Sequence, residues 1–260
     1  MSYKDVMGER LKDYYENRNR FYLTRRTPVM IRIDGRAFHT FTKKFQKPFD
    51  KALMKTMQDT MLYLCENIQG CVFGYTQSDE ITLILQDYAK LDTDAWFDYN
   101  VQKMCSISSS MATMQFNRMF EKNVQNMYPD LVDVLYKPSI EKGAMFDSRC
   151  FNLPKEEVTN FVYWRQTDAS KNSVQMVARE YFSHRELDKK NTSEQQDMLI
   201  TRYGVNWNDY TTSCKRGTAC KKIDGKWVVD YEMPILKGEN RLYVEETFNF
   251  TPDIVVKQEE

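Results

Sequence analysis

Asp34 and Asp79 are the residues best placed by type and context to do chemistry. Asp34 ends the apolar run Val29–Ile33 and is followed by Gly35. Asp79 lies in Gln77–Glu80, which joins two strand-like runs, Cys71–Tyr75 and Ile81–Leu85. A strand-end Asp brought beside a hairpin-turn Asp gives two hard oxygen donors that can bridge two Mg²⁺ ions, an arrangement suited to nucleoside triphosphates. Gly35 lets the backbone approach a ligand closely and offers its carbonyl to the same cations. The amides that follow, through Arg36, Ala37, Phe38 and His39, form a candidate donor set for a triphosphate. Adjacent acids in a strand-like turn tend to face opposite ways. Asp79 is therefore read as the metal ligand, and Glu80 as an accompanying catalytic acid in a supporting role.

These groups need rigid support, and the surrounding segments supply it. Asp50 to Ile68 carries Met54, Met57, Met61, Leu64 and Ile68 at helical spacing, with Pro48 and Asp50 as start signals. Asp94 to Phe120 repeats the pattern through Phe97, Val101, Met104, Ser108 and Met111, and its small residues allow close approach to a sheet. The order is β–α–β–β–α with an antiparallel hairpin, so an α+β, ferredoxin-like half is expected, an order shared by the palms of polymerases and cyclases, with helices on one face of its sheet. A mainly helical region should follow, with a strand over Phe146–Leu153 and helices over Pro154–Gln166 and Val174–His184. A further helix runs from Ser193 to a Gly204 stop, and a hairpin lies around Asp224-Gly225. No linker divides the chain. Residues 1–260 are read as one compact unit, about 1–135 palm-like and about 136–260 mainly helical.

Composition sets outer bounds. With 42% hydrophobic and 28% charged residues, the chain is that of a folded globular protein. Its 37 basic and 37 acidic side chains cancel, so net charge argues neither for nor against nucleic acid. No leader-like or membrane-spanning segment is visible, which points to the cytoplasm. The six cysteines lack zinc-knuckle spacing and read as reduced thiols. Lys43, Lys44, Lys47 and Lys103 add positive charge for a triphosphate. Arg165, Lys171, Lys215 and Arg216 are candidate RNA contacts, beside aromatic residues 161–164.

Several strings resemble those of the tRNA-His guanylyltransferases and their bacterial and archaeal relatives, the 3′→5′ polymerases. They are Ile31–His39 (IRIDGRAFH), Lys47-Pro48, Gly74–Glu80 (GYTQSDE), Phe146–Arg149 (FDSR), Trp164–Asp168 (WRQTD) and Lys215–Thr218 (KRGT), in family order across residues 29–218. The resemblance implies a polymerase-like palm, two Mg²⁺ ions held by Asp34, the Gly35 carbonyl and Asp79, and a tetramer. It implies that residues 34–39 and Ser78 hold a nucleoside triphosphate, with help from Lys47, Lys103 and Asn172. ATP would activate a tRNA 5′-phosphate, and the 3′-hydroxyl of GTP or another nucleotide would then attack it. Eukaryotic members carry a His-Ile-Asn-Asn-Leu-Tyr-Asn stretch where this chain has Ser170–Met176 (SKNSVQM), which keeps only the first Asn. That departure implies the branch associated with template-dependent repair of 5′-truncated tRNA. The competing readings are a nucleotide or dinucleotide cyclase, opposed by the tRNA-type strings beyond residue 146, and a catalytically silent RNA-binding module. The latter would not need an anionic pocket.

Overall fold

A computed structural model describes residues 3–90 and 92–248. In chain order the elements are α1 (Tyr3–Leu11), β1 (Val29–Gly35), α2 (Phe38–Phe41), α3 (Lys51–Asn67), β2 (Cys71–Gln77), β3 (Glu80–Leu85), α4 (Val101–Met127), α5 (Lys137–Lys142) and β4 (Phe146–Asn152). They continue with α6 (Lys155–Tyr181), α7 (His184–Leu187), α8 (Thr192–Tyr203), α9 (Thr212–Arg216), β5 (Thr218–Ile223), β6 (Lys226–Asp230) and α10 (Leu242–Glu245). The six strands form one antiparallel sheet in the order β4-β1-β3-β2-β5-β6. β1 and β3 are central and covered on both faces. That explains why Val29–Ile33 and Ile81–Leu85 are apolar on both faces instead of alternating, interrupted only by Arg32 and Thr82.

Alternation assigns the two faces. Ile31, Ile33 and Leu83 point to α3 and α4, meeting Met61, Leu64, Phe116 and Phe120. Met30, Phe73 and Ile84 point the other way, to Val158 and Val162 of α6 and to Val244 and Phe248. The palm helices therefore share one face, as expected, and the C-terminal region covers the other. It also contributes β4, β5 and β6 to the same sheet. The β5–β6 turn has left-handed Asp224 and Gly225 (φ 50° and 76°), as a tight hairpin requires.

Three boundaries differ from the sequence reading. The helix expected from Asp94 starts only at Val101, where the Asn100 side chain accepts from Lys103 N at 3.0 Å; Phe97, Asp98 and Tyr99 before it are left-handed. The two helices expected between Pro154 and His184 are one, α6. Its polar middle holds no Gly or Pro. Buried Ser173 is pinned there by Trp207 Nε1 (3.1 Å) and donates to the Lys215 carbonyl (3.2 Å). The start signal of α8 is Asn191, not Ser193: Asn191 Oδ1 accepts from Glu194 N, and the Glu194 carboxylate accepts from Asn191 N.

Candidate active site

The last residues of β1 meet the β2–β3 turn at one end of the sheet. Gly35 N donates to the Asp79 carbonyl at 3.0 Å, which stitches the strand end to the turn. Left-handed Ser78 (φ 51°) makes the turn tight, and its Oγ donates to Asp79 Oδ1 at 3.0 Å. Burial pushes the Asp79 carboxyl above the usual carboxylate range; Ser78 opposes this, and the Asp34 charge adds to it. Two acids so placed repel each other, a conflict that a bound cation would relieve. Among the described residues no set of three or more His, Cys, Asp or Glu side chains forms a ready cage. The donors present fit Mg²⁺, which is commonly held by one or two carboxylates with water and substrate phosphates completing the shell.

That charge conflict has a measurable consequence. Asp79 binds its proton more tightly folded than unfolded. Its contribution to stability is therefore present below the ordinary carboxylate value of about 4 and is lost as pH rises through the raised folded value. In metal-free protein, the fall in Tm from mildly acidic to neutral pH should be smaller in Asp79→Asn than in wild type. Parallel Tm–pH curves would contradict the assignment.

After Gly35 the chain turns at left-handed Ala37 (φ 54°) into α2. The amides of Ala37, Phe38 and His39 precede the first intrahelical bonds, Thr40 N and Phe41 N to the Ala37 carbonyl. The turn is anchored from below by aromatic packing. Phe38 lies 5.5 Å from Phe116 and 5.2 Å from Phe146, and Phe41 and Phe45 continue the cluster to Phe120 and Tyr136. Gly35 belongs to the same packing: a Cβ there would sit 2.3 Å from the buried Phe38 ring. Gly35→Ala should cost about 1–3 kcal/mol through overpacking and should weaken GTP binding, because the ring supports the amide turn. Unaltered melting and GTP affinity would show that the ring yields freely.

These elements enclose a cleft of about 540 Å³ that gathers Asp34, Gly35, Ala37, Phe38, His39, Lys47, Ser78 and Asp79. Asp50 forms part of its wall, capping α3 through Leu53 N (2.9 Å) and accepting from Tyr136 Oη (2.6 Å). A smaller cavity of about 110 Å³ shares Ser78 and Asp50 with the cleft and brings in Asn172. Among the cleft residues that were not expected site residues are Met176 and Arg179, from a distant part of the chain. Asn172, Met176 and Arg179 stand at i, i+4 and i+7, one helical face, a signal hidden by splitting α6 in two.

Other expected residues fall elsewhere. Lys103 is outside the cleft: α4 runs antiparallel to β4, with Cys105 against Cys150 and Ser108 against Ser148, so its start lies toward the Val29 end of the sheet. Its Nζ lies 5.8 Å from the Phe97 ring. Arg165, expected to meet RNA, is buried. Its Nε donates to Glu80 Oε1 at 2.7 Å, its Nη2 reaches Asp168 at 3.2 Å, and its guanidinium stacks on Trp164 at 4.6 Å. Glu80 is 4% exposed and also pairs with Arg32 at 3.4 Å, leaving it a supporting carboxylate instead of a free acid or base. Burial pushes it up, the two arginines pull it down, and the Asp34 charge pushes it up again. Lys215 Nζ is engaged by the Asn208 carbonyl (2.6 Å), and the Arg216 carbonyl accepts from Tyr75 Oη (2.7 Å). Both are half-buried beside Gly217. Arg36 and Lys171 are exposed.

The palm sheet, the paired carboxylates at a strand end and the amide turn beside them define a nucleotidyltransferase of the polymerase-palm class. Residues 8–154 match the Thg1 family, tRNAHis guanylyltransferase. This chain belongs to that family. It is 30% identical over 235 residues to "Uncharacterized protein R259" of Acanthamoeba polyphaga mimivirus, covering 84% of this chain and 77% of that one. It is 25% identical over 205 residues to the tRNA(His) guanylyltransferase of Saccharomyces cerevisiae, covering 73% and 80%. Among solved structures, a bacterial tRNA(His) guanylyltransferase (Thg1)-like protein in complex with ATP superposes with a TM-score of 0.81 at 44% identity, over 93% of this chain and 98% of that one.

Proposed function

We propose that this protein extends the 5′ ends of tRNA in the 3′→5′ direction and that its task is template-dependent repair of 5′-truncated tRNA. The observation that carries the reading is the convergence of Asp34, Gly35 and Asp79 with the Ala37–His39 amides in one cleft. In activation, a tRNA 5′-phosphate oxygen attacks the α-phosphorus of ATP and pyrophosphate leaves. The 3′-hydroxyl of an incoming nucleotide, GTP among them, then attacks the activated 5′-phosphorus and AMP leaves. Two Mg²⁺ ions, when bound, would neutralise phosphate charge and lower the barrier to attack. Asp34, the Gly35 carbonyl and Asp79 would hold them. The amide turn, Ser78, Lys47 and Asn172 would orient the triphosphate, while Phe38 keeps the turn from moving. Arg165 and Arg32 hold Glu80 in its pocket and so fix the turn that carries Asp79.

The repair assignment is supported by the departure at Ser170–Met176, which lies mid-helix and lends Asn172, Ser173 and Met176 to the smaller cavity. A tetramer is supported by the exposed apolar side chains Val6, Met7, Leu11, Tyr14 and Tyr15 of the N-terminal segment. No helix among the described residues is long and apolar enough to cross a membrane, and six free cysteines suit the cytoplasm. The two-step chemistry is tested by the nature of the 5′ end. Labelled GTP should be incorporated into a 5′-monophosphorylated tRNA only with ATP present, and into the 5′-triphosphorylated form without it. ATP-independent incorporation into the monophosphate would contradict the activation step.

A further inference from the structure

On the sheet face that carries α3 and α4, two half-buried cysteines meet. Cys105 of α4 and Cys150 of β4 lie 45 positions apart in the chain, and their sulfurs approach to 3.4 Å. The approach is held in place: one helical turn on and two strand residues back, Ser108 Oγ and Ser148 Oγ share a hydrogen bond of 2.7 Å. Both thiols are free. Cys105 sits where the buried stripe of α4, Met104 and Ser108, meets its exposed side, Gln102 and Ser106. A helix shields its own backbone, so the exposed part of Cys105 belongs to its side chain. Burial and the adjacent Cys105 thiol push the Cys150 thiol up, so Cys150 keeps its proton and Cys105 is the sulfur that meets an oxidant. The other cysteines are poorly placed to compete. Cys65, Cys71 and Cys220 are sealed in the core, and Cys214 faces Met54 and Thr211.

We infer that Cys105 and Cys150 form a reversible disulfide, made by a peroxide and reopened by a small thiol, that clamps α4 onto the edge of the palm sheet. The Cys105 thiolate attacks one oxygen of hydrogen peroxide; the O–O bond breaks, the other oxygen leaves as water after taking a proton, and Cys105 becomes a sulfenic acid. The Cys150 sulfur then attacks the Cys105 sulfur and gives up its proton, and a second water leaves. One peroxide becomes two waters while two thiols become one disulfide. The sulfurs need close only from 3.4 Å to about 2 Å. Two small thiols reverse the bond in turn, through a mixed disulfide, and are themselves joined. The position gives the bond a use. β4 is the edge strand beside β1, with Asp147 opposite Asp34 and Phe146 opposite Gly35. Stability is uneven across a fold, and a cross-link here ties the margin of the site to the helix layer. It also restricts the unfolded chain by closing a long loop. The clamp does not depend on the proposed function.

The test exposes the purified, reduced full-length protein to a slight excess of hydrogen peroxide and then blocks the remaining thiols with N-ethylmaleimide in denaturant. Peptide mapping without reductant should find the Cys105 and Cys150 peptides joined, two hydrogens lighter than the pair apart. The oxidised protein should melt about 5–10 °C higher, and dithiothreitol should return the melt to its starting value. Cys105→Ser, a change of one atom, should abolish both the joined peptide and the rise. Peroxide-treated protein in which both cysteines still take N-ethylmaleimide overturns the disulfide. So does Cys105 carried on to sulfinic acid, or a bond joining other cysteines. A joined peptide with an unchanged melt overturns the clamp. Should Cys105→Ser fold poorly, the mapping and the reversible melt of wild type decide the matter by themselves.

Discussion

Asp34→Asn and Asp79→Asn should each lower nucleotidyl transfer by about 10³-fold or more, a loss of about 4 kcal/mol of transition-state stabilisation. Asn keeps the shape and hydrogen-bonding reach of Asp and removes only the charge, so the change isolates the carboxylate's part in holding the cation. The same substitutions should not harm the fold. Asp79 is pushed above its usual range by burial and by Asp34, so metal-free Asp79→Asn should melt at or above the wild-type temperature at neutral pH. Lost activity with equal or better stability marks residues selected for function at the expense of the fold. A single-turnover assay at saturating GTP, beside a thermal melt, checks both halves. Transfer within tenfold of wild type in either variant would remove the two-carboxylate site from the account.

The largest effect on stability should come from Arg165→Ala. Glu80 is almost fully buried, and the Arg165 Nε contact at 2.7 Å is shorter than its Arg32 contact at 3.4 Å. Removing the nearer guanidinium leaves a buried carboxylate with one weaker partner, a change that costs about 3–5 kcal/mol where a buried pair is broken. The double variant Arg165→Ala/Glu80→Gln should recover part of the loss, because no charge is then stranded. The two losses would be non-additive by about 1 kcal/mol or more. The sign for pH follows from the direction. Without Arg165 the Glu80 carboxyl rises further, so the variant's deficit should be smallest in mild acid and should grow as pH climbs through that raised value. Urea denaturation at two pH values reads this, and equal deficits at both would contradict the pairing.

How far the sequence could be read depended on whether the signal was local. The meeting of Asp34, Gly35 and Asp79 at one end of the sheet was legible because each sits at a strand end or in a tight turn with apolar flanks, whereas Ser78 was expected there only from the family resemblance. The cap at Asp50 was equally plain, since its side chain bonds an amide three residues on. What escaped were partners distant in the chain. Arg165 reads as a surface cation until Glu80, 85 positions away, is seen opposite it. Lys103 was expected at the nucleotide from its charge and from the family resemblance, yet the antiparallel packing of α4 on β4 carries it to the far end of the sheet. Arg179 and Met176 were hidden by one misjudged boundary. Ser, Asn and Thr in residues 167–173 weaken local helix preference, while Trp207 and Lys215 from elsewhere in the fold hold that stretch helical.

The most direct test of the account gives purified protein Mg²⁺, ATP and labelled GTP with two substrates. One is a tRNA missing a 5′-terminal G whose 3′ partner C is intact; the other is a tRNA-His lacking its additional 5′ G. The account predicts label in the truncated tRNA, lost when the partner C is changed and restored when the pairing is. Addition to tRNA-His with equal efficiency whatever base stands opposite would contradict template-dependent repair.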